Sequence, residues 1–141
     1  MTGQDAVKAL LIGMDRDRFD YRKLTRLLEQ QFSAALQHNA AELASIASDI
    51  LNIVEAMEQR RHQRIDLVIA FLGAGQPVSV EAVIERVTGK VHDTLQSWWA
   101  DLGYLARHCQ TLNTRNGQLL MSQYEIMQRV LHGEKDVYAP A

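Results

Sequence analysis

From Val91 onward, stepping alternately by four and three residues visits Val91, Leu95, Trp98, Leu102, Leu105, Cys109, Leu112, Asn116, Leu119, Gln123, Ile126 and Val130, and ten of these twelve positions are apolar. An apolar repeat averaging 3.5 residues marks a helix with one continuous edge to bury. The spacing therefore predicts a single long helix over 90–132, roughly 60 Å at 1.5 Å per residue. Such a helix needs neighbours of comparable length. One is predicted over 40–72, opened by Asn39 and Glu42 as a capping pair. Its inward face is Leu43, Ile46, Ile50, Val54, Met57, Ile65, Ile69 and Leu72. Another is predicted over 20–37, with Tyr21, Leu24, Leu28, Phe32 and Ala35 at helical spacing.

The links are equally legible. Gly73-Ala74-Gly75-Gln76-Pro77 stops the 40–72 helix, because Gly suits the C-terminal cap and Pro cannot continue a helix. Ser79 then caps a short connector over 79–88, and Thr88-Gly89 turns the chain into the last helix. Residues 1–19 read as an N-terminal segment, with a small apolar patch (Ala6, Ala9, Leu10, Leu11) and the charged Asp15-Arg16-Asp17-Arg18 as a solvated turn; 133–141 read as a tail. The expected fold is all-α: one domain, an elongated antiparallel helical hairpin or three-helix bundle with coiled-coil-like packing and a long C-terminal helix. A chain of 141 residues with 47% hydrophobic and 23% charged residues suits one such core.

Function classes narrow quickly. A net charge of −2 offers no basic excess for nucleic acid. Cys109 is the only cysteine, so no internal disulfide is possible and a reducing cytoplasm is expected. The N-terminus lacks the basic-then-apolar pattern of a signal peptide, and the longest apolar run, 67–74, is too short to cross a bilayer. His38, His62, His92, His108 and His132 show no metal-ligand spacing, and Gly73-x-Gly75 does not continue into a phosphate loop. Cys109 lies on the apolar repeat and reads as core. Arg60, Arg61 and Arg64 read as a solvated rim beside Glu55 and Glu58. Of Trp98 and Trp99, one is expected to pack and the other to lie at a boundary. No enzyme, cofactor or metal is expected, since no nucleophile, base and stabiliser come together.

The column beside the repeat changes character along the last helix. It is mostly small or polar from His92 to Gly117, with Trp99 as the exception, then runs Leu120, Tyr124, Met127 and Leu131. Beyond Gly117 two adjacent apolar columns make a stripe wider than a simple hairpin buries. Either the first helix covers it, or a second copy or a different protein does. Met121 and Met127 would give such a surface adaptability. Asn116-Gly117 allows two readings: a helix stop with Gly117 in the left-handed cap, or a continuous helix in which Asn116 sets register and Gly117 permits close approach. The unbroken phase of the repeat favours continuity.

Leu112-Asn113-Thr114-Arg115-Asn116-Gly117-Gln118-Leu119-Leu120, preceded by Trp98 and Trp99, and the earlier Glu58-Gln59-Arg60-Arg61 resemble the FlgN-type flagellar type III export chaperones. Asn113, Asn116 and Gly117 carry the signature, and the similarity spans most of 20–138. The resemblance implies a cytoplasmic chaperone that binds the C-terminal helical region of the hook-associated proteins FlgK and FlgL, keeps them unassembled and delivers them to the export gate. By position, Leu119, Leu120, Tyr124, Met127, Val130 and Leu131 would form the substrate face, and Tyr138 would dock on the gate protein FlhA. The alternative is a non-enzymatic bundle whose C-terminal face closes a homodimer.

Overall fold

The computed structural model describes the backbone from Met1 to Tyr138 and the side chains through Gly133. The described residues form four helices: α1 (Gly3–Leu36), α2 (Ala40–Leu72), α3 (Val80–Arg86) and α4 (Gly89–Tyr138). The all-α class with a long C-terminal helix is the one the sequence pattern predicts.

The N-terminal segment is a correction. Residues 1–19 are not a separate segment with a solvated turn; α1 begins at Gly3 and runs unbroken through Asp15–Arg18. Thr2 and Asp5 form a reciprocal capping box, the Asp5 amide donating to Thr2 Oγ1 at 3.1 Å and the Thr2 amide to Asp5 Oδ2 at 3.0 Å. Ala6, Leu10, Met14, Asp17, Leu24 and Leu28 then lie on the buried side of one helix. Asp17 and Asp20 are polar members of that stripe, and their charges hid its continuity.

Their partners explain why they are tolerated. Arg60 Nε donates to Asp17 Oδ1 at 2.6 Å, Arg64 to Asp17 Oδ2 at 2.7 Å, and Arg60 Nη2 to Asp20. Burial works against the Arg60 charge, but the bonds to Asp17 and Asp20 outweigh it and raise its pKa. The arginine cluster is thus not the solvated rim read from sequence: Arg60 and Arg64 turn inward, and only Arg61 pairs with Glu58, at 2.8 Å. A desolvated ion-pair set contributes little net stability but tolerates only one alignment of α1 on α2.

This polar set sits between two cores. One gathers Val7, Leu10, Met14, Val68, Val83, Leu95 and Leu102; the other gathers Leu24, Leu28, Ile46, Ile53, Cys109 and Leu112. α1 is antiparallel to α2, across a link in which His38 takes a positive φ of 53°. α4 runs parallel to α1, as the pairs Arg18–Asp101, Asn116–Leu28 and Gln123–Ala35 show. Among the described residues the backbones of α2 and α4 each approach α1 more closely than they approach one another. α1 is therefore the shared helix of the bundle, rather than an addition beside an α2–α4 hairpin.

Candidate functional site

The site follows from a mismatch of lengths. The repeat on α4 is buried from Leu95 through Leu102, Leu105, Cys109 and Leu112 to Asn116. Two polar ties then close the α1–α4 contact. Asn116, 1% exposed, donates through Nδ2 to the Leu28 carbonyl at 2.7 Å and to Gln31 Oε1 at 2.8 Å. Gln123 Nε2 donates to the Ala35 carbonyl at 2.9 Å. α1 ends at Leu36, one residue later. α4 continues to Tyr138, about 22 Å past Gln123 at 1.5 Å per residue.

Asn116-Gly117 does not stop the helix, which is continuous from Gly89 to Tyr138. Asn116 takes the register role. Its amide cannot be satisfied by an apolar partner, so only the alignment that meets the Leu28 carbonyl is free of a desolvation cost. Arg115 holds its other side, donating to Asn116 Oδ1 at 3.1 Å, pairing with Glu29 at 3.0 Å and stacking on Phe32 at 3.8 Å. Gly117 does not mediate close helix approach: a Cβ built there meets nothing within 4 Å. Asn113 is exposed.

Past Asn116 the apolar residues lose cover. Leu119 is half-buried, whereas Leu120 (36%), Tyr124 (58%), Met127 (48%), Val130 (57%) and Leu131 (56%) are exposed. The structure adds Ile126 to the same surface, whereas Met121, expected there from sequence, is exposed but stands on the opposite side of the helix from Val130. Ile126 sits on the repeat but is not among the substrate-face residues named from sequence; the signal that could have placed it here is the C-terminal limit of α1. α1 therefore does not cover the widened stripe. The side chain of Tyr138 lies outside the described residues.

Chemistry elsewhere is structural. Cys109 is buried against Thr25 Oγ1 at 3.3 Å, and burial raises its pKa, which disfavours the reactive thiolate. His92 Nδ1 meets the Ile84 carbonyl at 2.8 Å. Trp98 and Trp99 are both half-buried rather than divided between core and boundary. Arg18 lies over Trp98 at 5.0 Å, and Trp99 donates to Glu81 at 2.9 Å under Arg64 at 5.5 Å. Among the described residues no group of His, Cys, Asp and Glu could hold a metal ion, and no helix is long and apolar enough to cross a membrane.

An all-helical fold whose last helix carries an amphipathic overhang that no other described residue covers, beyond an Asn-x-x-Asn-Gly run, is consistent with the resemblance drawn from sequence. No curated protein and no solved structure matches the chain. A family model does: the one described as FlgN protein matches residues 1–133, which takes in the whole bundle and most of the overhang, and the chain belongs to the FlgN family.

Proposed function

We propose that the chain is a cytoplasmic export chaperone that captures the C-terminal helical region of the hook-associated proteins FlgK and FlgL. It would hold them unassembled and hand them to the flagellar type III export gate. The carrying observation is the overhang: Leu120, Tyr124, Met127, Val130 and Leu131 share one side of a helix that no other described residue covers. A contiguous apolar stripe on a preformed helix suits capture of a second amphipathic helix, with Met127 adapting to different sequences. Family membership supports the flagellar setting. Tyr138, at the end of α4 as described, is proposed to dock on FlhA.

Leu120→Asp or Met127→Asp is expected to abolish co-purification with FlgK and FlgL while circular dichroism shows unchanged helix content, because neither side chain supports the bundle. Complex formation that survives both substitutions would mean that the capture face is elsewhere. A tight homodimer in sedimentation that buries 118–131 and excludes the hook-associated proteins would replace the chaperone reading with the self-association one.

A further inference from the structure

At the end of the bundle away from the overhang, the first turns of α1 and the α3–α4 link enclose an open trough of about 820 Å³. Its apolar wall is Val7, Leu11, Phe71, Val87 and Val91. Val91 begins the α4 repeat but stays 41% exposed, so the repeat's first position is not spent on the core. Two cations, Lys8 from α1 and Arg86 from α3, line the trough, and no carboxylate does. Both are exposed, and among the described residues neither side chain takes part in an ion pair or hydrogen bond. The Asp5 carboxylate, one turn away, is held by the Thr2 amide. The first turn of α4 contains no acidic residue.

We infer that this trough is a second docking surface, and that its occupant is an acidic amphipathic peptide segment of a partner protein. The chemistry selects that class. An apolar wall calls for a hydrophobic stripe, and two unpaired cations from different elements call for carboxylates beside it. A small ligand would remain largely in water in so open a trough. The concave shape suits an inserted segment better than a flat lipid surface. The trough shares no residue with the overhang, so a partner here could be held together with cargo there, and the inference does not rest on the cargo proposal.

The test uses the full chain and two fluorescent helical peptides with the same leucine stripe, one with glutamates at the remaining positions and one with lysines. The glutamate peptide is expected to bind, with amide shifts centred on Val7, Leu11, Phe71, Val87 and Val91, and the lysine peptide to bind at least roughly tenfold more weakly. Combining Lys8→Glu with Arg86→Glu should reverse the preference, and Val91→Asp should weaken binding of both peptides. The shifts at Val7, Leu11, Phe71, Val87 and Val91 should persist in Leu120→Asp, which separates this surface from the overhang. Failure of the glutamate peptide to bind would overturn the inference. So would equal binding of the two peptides, shifts confined to 119–131, or binding to anionic vesicles in place of the peptide.

Discussion

The two halves of α4 have nearly the same apolar content and opposite fates. From Leu95 to Asn116 the four-three repeat is laid against α1 and, Trp98 apart, is buried. Past Gln123 the same repeat, with a second apolar column beside it, stands in water. Neither propensity nor hydrophobicity makes the difference. The difference is set by where α1 stops, at Leu36, and by the Gln123–Ala35 tie next to that end. An amphipathic helix is a core element or an interaction surface according to what lies beside it.

The comparison can be broken most forcefully with one truncation in each half. Leu95→Ala removes a side chain with 0% exposure and should cost about 2–5 kcal/mol in chemical denaturation. Val130→Ala, on the same repeat at 57% exposure, should stay within about 0.5 kcal/mol. Similar losses at both sites would show that the overhang is folded back onto something in solution. A second copy is the simplest such cover, and a concentration-dependent melting temperature would identify it.

Asn116→Ala sharpens the boundary itself. The substitution leaves the Leu28 carbonyl and Gln31 without their donor and removes the oxygen that holds Arg115. A loss of about 1–3 kcal/mol is expected, the usual cost of orphaning a buried polar partner. Hydrogen exchange should also rise selectively from Gly117 onward, since Gln123 would remain as the last polar tie to α1. A uniform rise along α4 would instead make Asn116 an ordinary core residue.

How much of this was legible in the residues can be traced element by element. The α4 repeat, the Asn39 cap and the Gly73 stop are local signals, and each appears in the structure where its residues stand. α1 was half hidden because Asp17 and Asp20 interrupt its apolar face. A buried carboxylate is recognisable only with its partner, and Arg60 and Arg64 lie some forty positions away. The same separation made those arginines read as surface. The substrate-face residues are readable as a widened stripe, but their exposure is a property of two helix lengths and a register. Ile126 was missed for that reason, and the trough around Val91 likewise, because it forms only when the ends of α1, α2 and α3 meet.

The smallest expected effect tests whether the junction between the halves is a weakness that function needs. Gly117 lies within the helix and is exposed, and an added Cβ meets nothing within 4 Å. Gly117→Ala should therefore gain the helix-propensity difference with no steric cost, up to about 1 kcal/mol. Two readouts check it: a melting temperature higher by a few degrees, and slower amide exchange over 118–133. If the overhang captures cargo as a straight extension of α4, binding of FlgK and FlgL is unchanged or slightly tighter, because less order must be gained on association. A variant that is more stable yet captures cargo more weakly would show that the helix has to bend at this residue, with glycine retained there against its cost to the free protein.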